Sequence, residues 1–372
     1  MDIYTAKTPS LLLDVNRVTR NAERIREIAT RNGVRLRPHI KTHKCVEVAR
    51  IQTAGHDGAV TVSTLAEAKA FADHGFSDFT YAVPIERGKF AEAIELARRI
   101  KLNLLTDDAE TVRALDATAK NADIKLDVFL KIDCGTHRCG VEPRSTEAVE
   151  IPRQISEANN LNFAGILTHA GHSYNACSKE EITEVARHER DSMVELAEKL
   201  RDGGIEVSCV SIGSTPTVSA VDHLTGIDEV RPGNYIFFDA FQATLGSCRF
   251  EDCALTVLAA VVHRDPARRR IVVDAGAIAL SKDRGPVDID SACGYGHVLD
   301  LEGNDTGLRI ESVSQEHGTF FADSDAMFKS LKVGSRVRIL ANHSCLTAAQ
   351  HSHFNVVDKN KIIDRWEIHR GW

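Results

Sequence analysis

The sequence predicts an α/β fold in which a (β/α)8 barrel is followed by a C-terminal antiparallel β domain. From about residue 11 to residue 240, short apolar runs rich in β-branched residues alternate with amphipathic stretches whose apolar residues recur every three or four positions. This alternation is typical of parallel βαβ units. Eight strand candidates favour a closed barrel, and a doubly wound open sheet is the alternative. After about residue 250, strand-like runs separated by Gly, Asp and Asn turns indicate the antiparallel β domain.

The predicted barrel strands are short apolar runs, which in chain order are LRPHI, GAVTVS, DFTYAV, LNLLT, LDVFLKID, FAGILTHA, VSCVSIG and NYIFFD. Helical patterns lie between them, for example TLAEAKAFADHG and FAEAIELARRI. The N-terminal stretch IYTAKTPSLLLDV is expected to cross over and join the β domain. The predicted boundaries are residues 11–245 for the barrel, and residues 1–10 together with 246–372 for the β domain.

Composition and charge argue against several classes of function. The 372 residues are 43% hydrophobic and 27% charged, as in an ordinary soluble globular protein. A net charge of −7 without a basic half or tail argues against nucleic acid as a partner. Nine scattered cysteines without a CxxC pair favour reduced thiols in a cytoplasm. No apolar run reaches the roughly 18 residues of a membrane span, and the start, MDIYTAKTPSLLLDV, lacks a signal-peptide pattern. We therefore expect a cytoplasmic protein with no membrane partner.

The first motif with chemical potential is LRPHIKTHK, residues 36–44. His39, Lys41 and His43 alternate, so on a β-strand their side chains would share one face. In a barrel this motif ends the first strand, and catalytic groups of barrels lie at the carboxyl ends of strands. A lysine in that mouth is desolvated and close to other cations, which lowers its pKa and makes its amine nucleophilic. A solvated basic strand end is the alternative interpretation.

Two further segments indicate a phosphate site. SIGSTPT (211–217) follows the seventh predicted strand and RPGNY (231–235) lies at the eighth, the positions where barrels frequently bind phosphate. Small residues there let backbone N–H groups approach phosphate oxygens. The residues that fit this role are Gly213, Ser214, Thr215, Gly233 and Asn234. Either segment alone is typical of an ordinary turn, but together with a candidate Schiff-base lysine they describe a pyridoxal phosphate site.

The segment NHSCLT, residues 342–347, predicts a metal site. His343 and Cys345 are two positions apart, so on a strand they would face the same way, and an imidazole with a thiolate suits Zn²⁺. Two protein ligands leave coordination positions open for substrate, as a catalytic metal requires. A packed strand with a buried cysteine is the alternative interpretation.

Two loops that end barrel strands supply further candidates. In KIDCGTHRCGV, Arg138 follows a Gly turn and is predicted to pair with the cofactor ring, whereas Cys134 and Cys139 are interpreted as structural thiols. In HAGHSY (169–174), Tyr174 is a predicted cofactor contact, and the histidines are interpreted as structural residues.

Taken together, these segments resemble the fold type III pyridoxal phosphate enzymes of the D-serine dehydratase and D-threonine aldolase family. The likeness covers RPHIKTHK, DCGTHRCGV, GSTPT, RPGNY, QEHG and NHSCLT in the same order, across almost the whole chain. It implies an alanine racemase-like barrel, a C-terminal β domain and a head-to-tail homodimer with active sites at the subunit interface. It also implies that Lys41 is the Schiff-base lysine and that His343 and Cys345 bind the metal. The implied cofactor contacts are Lys41, His39, Arg138, Tyr174, Gly213, Ser214, Thr215, Gly233, Asn234 and Tyr235.

The metal motif favours one reaction within that family. Aldolase members carry an aspartate near the metal histidine, whereas HSC resembles the eukaryotic-type D-serine dehydratases and the D-threo-3-hydroxyaspartate dehydratases. Cysteine also favours zinc over Mg²⁺ or Mn²⁺, although another divalent metal stays open. We therefore expect elimination of water from a small-molecule D-β-hydroxy amino acid, foremost D-serine to pyruvate and ammonia, with Lys41 removing the Cα proton.

Several alternatives stay open at this point. Retro-aldol cleavage of D-threonine or 3-hydroxyaspartate ranks next, followed by an amino-acid racemase and by a non-enzymatic cofactor-binding protein. Arg138 faces either the pyridine nitrogen or the phenolic oxygen of the cofactor. Gln315 and His317 of QEHG, with His43, are predicted to contact the substrate or to support the metal ligands; for QEHG, a plain turn is the alternative.

Overall fold

The computed structural model describes residues 2–372, which form two compact units. The first, here called the barrel unit, comprises Arg24–Lys41, Gln52–Gly233 and Arg370–Trp372. The second, here called the β unit, comprises the N-terminal stretch up to Glu23, Thr42–Ile51 and Asn234–His369. The chain therefore contributes alternating segments to each unit. The first two elements are strand β1 (Ser10–Asp14) and helix α1 (Val15–Asn32).

The barrel unit contains an eight-stranded parallel sheet. Its strands are β2 (Arg35–Leu36), β3 (Val60–Val62), β4 (Asp78–Pro84), β5 (Lys101–Thr106), β6 (Leu126–Lys131), β7 (Leu161–Leu167), β8 (Val210–Ile212) and β9 (Glu229–Val230). The pairing order runs from β2 to β9 and then back in sequence to β3. A bridge between His39 and Thr61, with the Thr61 N–H donating to the Pro38 carbonyl at 2.9 Å, joins the two edges. The predicted (β/α)8 barrel is confirmed.

Helices alternate with these strands, as the sequence pattern predicts. They are α2 (Val46–Thr53), α3 (Leu65–Ala72), α4 (Phe90–Ala97), α5 (Ala109–Asn121), α6 (Glu147–Glu157), α7 (Lys179–Asp202) and α8 (Thr215–Ala220). Side chains of preceding residues fix several helix starts: Thr64 forms a capping box with Glu67, and Ser178 accepts from the Glu181 N–H. Helix α5 buries Val112, Leu115 and Ala119, the 3–4 spacing that defines an apolar face.

Two predicted barrel strands are wrong in their extent. Of LRPHI only Leu36 is in a strand, Arg35–Leu36, because Pro38 has no N–H to donate to a ladder, and Lys41 lies in a 3₁₀ turn, Ile40–Thr42. The prediction that alternation on a strand gives Lys41 and its flanking histidines one shared face is therefore wrong. NYIFFD is not a strand either, since it begins with a 3₁₀ turn, Asn234–Ile236. The eighth strand is instead Glu229–Val230, directly before RPGNY.

The β unit is built on a ten-stranded, mostly antiparallel sheet that includes β1. Its other strands are β10 (Leu255–Asp265), β11 (Arg270–Val273), β12 (His297–Leu299), β13 (Asp305–Arg309), β14 (Ser312–Val313), β15 (Gly318–Phe321), β16 (Arg336–Leu340), β17 (His353–Asp358) and β18 (Lys361–Glu367). The helices are α9 (Ala240–Thr244), α10 (Ala277–Leu280), α11 (Asp325–Ser330) and α12 (Ser344–Gln350).

The N-terminal strand lies inside this sheet, as the sequence predicts. β1 pairs antiparallel with β10 and parallel with β17. Its Leu12 packs in a core cluster with Ile3, Ala6, Leu258 and Val357. The N-terminal stretch is thus fixed by both backbone pairing and apolar burial.

A buried network of charges lies at the amino-terminal end of the barrel. The Arg37 guanidinium bonds Glu229 and Asp78, each at 2.6 Å, and Arg37 and Glu229 are each only 2% exposed. A cleft of about 770 Å³ adjoins this network, with Lys101 and Asp127 in its wall. This end of a barrel serves stability rather than catalysis. Within residues 2–372, no helix is both long and apolar enough to cross a bilayer.

Candidate active site

Lys41 lies where the chain leaves the first barrel strand. Its side chain is exposed, and its backbone N–H lies 3.4 Å from His39 Nδ1. The other ring nitrogen of His39 is 3.4 Å from Ser63 Oγ, beyond the end of β3. His39 therefore spans the first two strands and fixes the turn that carries Lys41.

Positive charge is concentrated at this carboxyl-terminal end of the barrel. Burial lowers the pKa of His169 well below its usual value, and the nearby charges of Lys41, Lys131 and Arg138 add to the effect. Its imidazole is thus neutral at neutral pH, with Nδ1 3.4 Å from the Gly213 carbonyl. Arg138 is exposed, and its guanidinium bonds no other group in the part of the chain that the structure describes. The barrel mouth is therefore suited to an anionic ligand.

Lys131 is a second lysine in the same region. It is the last residue of β6 and only 5% exposed, and its ammonium donates to the Ile132 carbonyl at 2.7 Å. Burial lowers the pKa of Lys131 to about 8. The sequence signal for this residue is that a lysine interrupts the apolar run LDVFLKID.

The loops after β6 and β7 are hydrogen-bonded to each other. Thr136 Oγ1 donates to the His169 carbonyl at 2.9 Å and accepts from the Gly171 N–H at 2.8 Å. Tyr174 follows in a 3₁₀ turn, half-buried. Burial raises the pKa of the Cys134 thiol to about 12, which makes it an inert structural group.

The predicted phosphate segment SIGSTPT forms a compact turn after β8. Gly213 has a φ of +110°, and a Cβ there would lie 2.9 Å from Val218 Cγ2, so the position requires glycine. Ser214 caps α8 by accepting from the Thr217 N–H, and Thr215 is 1% exposed at the start of that helix. All three predicted residues therefore lie at the carboxyl end of the seventh barrel strand.

The segment RPGNY divides between the two units. Gly233 closes the barrel unit, and within residues 2–372 its backbone N–H has no acceptor. Asn234 begins the β unit, where its amide donates to Asp239 at 2.7 Å and to Ser344 at 3.1 Å. Tyr235 is completely buried. Arg231 is also buried, and it bonds Ser211 and the Thr168 carbonyl, a structural role that the sequence did not indicate.

The predicted metal pair is brought together by a helix start and not by a strand. His343 is the N-cap residue of α12, and Cys345 lies in the first turn of that helix. Asp239, 1% exposed, fixes this start by accepting from the Ser344 N–H at 2.9 Å and from its hydroxyl at 3.1 Å. The predicted extended conformation is wrong, because Asp239 supplies acceptors that favour the turn into a helix.

The imidazole of His343 contacts both an acid and a thiol. Its Nδ1 lies 2.6 Å from Asp283 Oδ2. Burial opposes protonation, but Asp283 and Cys345 together raise the pKa of His343 to about 11. Burial likewise opposes ionisation of Cys345, but the adjacent imidazole lowers the pKa of its thiol. The Thr42 hydroxyl lies 3.4 Å from the Cys345 sulfur. Residues 2–372 contain no group of three or more His, Cys, Asp and Glu side chains arranged to hold a metal, so this pair offers two ligands.

The remaining predicted residues occupy different environments. His43 is fully buried, accepts from the Cys45 N–H at 3.0 Å and has its ring edge against Phe237. Gln315 and His317 are exposed in the turn between β14 and β15, where the Ser314 N–H donates to the His317 carbonyl at 2.8 Å.

Sequence reasoning missed His169, Asp239 and Asp283. His169 lies in HAGHSY, where the sequence pattern predicts only a structural histidine. The two aspartates lie far from His343 in the chain, so no local spacing connected them with the metal pair.

Known proteins resemble this chain over its whole length. The family model for the alanine racemase N-terminal domain matches residues 13–240, and that for a putative serine dehydratase domain matches residues 254–357. The D-threo-3-hydroxyaspartate dehydratase of Delftia sp. (strain HT23) is 36% identical, over 100% of this chain and 99% of the relative. The D-serine dehydratase of Dictyostelium discoideum is 37% identical, over 100% of this chain and 98% of the relative. A solved metal-free structure of D-threo-3-hydroxyaspartate dehydratase, carrying a cysteine-to-alanine mutation, is 36% identical and covers both chains completely, with a TM-score of 0.96.

Lys131 makes the stability of the cofactor-free protein depend on pH. Between pH 8 and 10.5 the unfolded chain holds a proton that folded Lys131 has lost, so the free energy of unfolding should rise with pH over this range. Lys131→Met should remove that rise, whose full extent is roughly 3 kcal/mol, and should stabilise the protein at pH 7. Urea unfolding at several pH values measures both effects. The exposed Lys125→Met is the control and should retain the rise; parallel curves for Lys131→Met and wild type would contradict the assignment.

Proposed function

Because the chain belongs to the D-serine dehydratase and D-threonine aldolase family of fold type III pyridoxal phosphate enzymes, we propose that it eliminates water from a D-β-hydroxy amino acid. The foremost substrate is D-serine, which would give pyruvate and ammonia. The observation that carries the proposal is the cationic barrel mouth, where burial and the nearby charges of Lys41, Lys131 and Arg138 keep His169 neutral. A cofactor with a phosphate and a phenolic oxygen complements this charge.

The residues present fit pyridoxal phosphate. Lys41 supplies a primary amine on an exposed turn, and Gly213 supplies the left-handed backbone that the tight turn after β8 requires. The Gly233 N–H has no protein acceptor within residues 2–372, as a donor reserved for a ligand requires. We assign the phosphate to the segments of Ser214, Thr215 and Gly233, with Tyr174, Asn234 and Tyr235 as further contacts. When bound, the cofactor delocalises the negative charge that develops at Cα.

Lys41 then has the central chemical role. It anchors the cofactor in the resting enzyme, and its freed amine takes the proton from the substrate Cα. His39 positions the turn that carries this amine. The neutral imidazole of His169 limits the positive charge around Lys41, which keeps the amine able to accept a proton. Within residues 2–372 the Arg138 guanidinium has no protein partner, and we assign it to the cofactor ring.

The His343 and Cys345 side chains fit a zinc ion. The low pKa of the Cys345 thiol favours the thiolate, and Asp283 occupies Nδ1 of His343, which leaves Nε2 as the ligand atom. Soft sulfur with imidazole favours zinc over magnesium or manganese. A zinc ion bound there would act as a Lewis acid on the β-hydroxyl, a poor leaving group. The pair also supports the dehydratase proposal, because the aldolase pattern has aspartate in place of the cysteine.

We further propose a homodimer in the cytoplasm, with active sites at the subunit interface. The fold family supports the dimer. None of the nine cysteines forms a disulfide, which suits a reducing compartment such as the cytoplasm.

A product assay tests the proposed reaction. With pyridoxal phosphate and zinc, the purified protein should release keto acid and ammonia in equal amounts from D-serine or D-threo-3-hydroxyaspartate. The faster of the two identifies the substrate, and L-serine serves as the stereochemical control. Glycine and an aldehyde from D-threonine or 3-hydroxyaspartate would instead establish the aldolase.

Replacement of a metal ligand should distinguish the role of zinc from that of pyridoxal phosphate. Cys345→Ala should lose its zinc and reduce elimination by more than roughly 100-fold, because loss of even an indirect partner of a metal ligand costs up to that factor. Its visible cofactor absorbance should persist. Metal analysis, absorbance and the product assay measure these effects, with the half-buried Cys209→Ala as the matched control. Normal turnover by zinc-free Cys345→Ala protein would remove the metal from the mechanism.

A further inference from the structure

Glu189 is a fully buried carboxylate beneath the loops of the barrel mouth. It lies on helix α7 and is 0% exposed. Its Oε1 accepts from the Ala170 N–H at 3.0 Å and from the Gly213 N–H at 3.1 Å. Ala170 belongs to the loop after β7 and Gly213 to the loop after β8, so one oxygen atom joins two neighbouring loops. Both donors are buried, Ala170 completely.

This contact determines which groups of the phosphate segment are available. The Gly213 N–H is already bound to Glu189, so its contribution to the segment is its backbone shape. The next N–H, that of Ser214, donates to Thr217 Oγ1 at 3.0 Å. The Ser214 hydroxyl lies 3.0 Å from that of Ser173, which provides a second link to the loop after β7. Glu189 and the Ser214 hydroxyl therefore each link this turn to the loop after β7.

Hydrogen bonds and a nearby positive charge stabilise the buried carboxylate of Glu189. Burial raises the pKa of Glu189, while the two N–H donors and the charge of Arg231 favour its ionised form. Arg231 is itself 5% exposed, and Glu189 is among the groups that support its charge. A buried carboxyl would be costly without such partners. Its place beneath a candidate ligand loop therefore points to a role in shaping that loop.

We propose that Glu189 is a positioning residue that holds the Gly213–Thr215 turn ready for the cofactor phosphate. This inference rests on the proposed function, since it concerns the same pyridoxal phosphate site. The physical reason is preorganisation: a turn fixed before binding does not lose conformational freedom when the phosphate arrives. The affinity for the cofactor depends on the position of the Oε1 acceptor and not on the net charge of the Glu189 side chain.

Two conservative substitutions separate position from charge. Glu189→Asp keeps the charge but withdraws the acceptor by one methylene, so the dissociation constant for pyridoxal phosphate should rise roughly tenfold or more, the scale of one hydrogen bond to a charged group. Glu189→Gln keeps the acceptor and should bind within about threefold of wild type, well under the tenfold change of 1.4 kcal/mol. The exposed Glu195→Ala on the same helix is the control.

The readouts are cofactor titration of the apoprotein and the ³¹P chemical shift of the bound phosphate, which a purely structural role would not move. Glu189→Asp should shift the ³¹P line and Glu189→Gln should not. Unchanged affinity and shift in Glu189→Asp, or Glu189→Gln as impaired as Glu189→Asp, would overturn the assignment. If wild type itself binds no pyridoxal phosphate, the proposed function fails, and this result is distinct from a failure of the inference.

Discussion

Buried charge in the barrel is the constraint on which the rest of the site depends. Arg37, Lys131 and Arg231 are almost fully enclosed, and so are the acids Glu189 and Glu229. At the amino-terminal end, Arg37 and Glu229 pair directly, so that region stabilises the fold. At the carboxyl-terminal end, burial together with the charges of Lys41, Lys131 and Arg138 lowers the pKa of His169. An anionic cofactor complements these three cations.

The backbone around this charge is shaped by hydrogen bonds to buried acids. Glu189 holds the turns after β7 and β8, and in the β unit Asp239 holds the start of α12. Asp283 fixes the orientation of His343. In each case a carboxylate accepts from groups near a candidate ligand residue without being a candidate itself. The residues proposed to contact ligands therefore depend on a layer of acids that the sequence pattern does not reveal.

Much of the fold was predictable from the sequence, because it rests on local periodicity. Strand–helix alternation identified the barrel, and the apolar run around Leu12 identified the N-terminal strand of the β unit. The segment NYIFFD failed because a buried aromatic run has the same pattern in a strand and in a packed turn. His343 and Cys345 were predicted to lie on a strand, because Asp239, which fixes the helix start there, is distant in sequence. Asp283, the partner of His343, could not be predicted for the same reason.

The most direct test of the central claim is to locate the lysine that carries the cofactor. Borohydride reduction of the holoenzyme followed by peptide mass spectrometry would fix pyridoxal phosphate to its attachment site. The exposed Lys41 and the buried Lys131 both lie in the barrel mouth and are the two candidates. We predict that the modified peptide contains Lys41. Modification of Lys131, or of no lysine, would contradict the account.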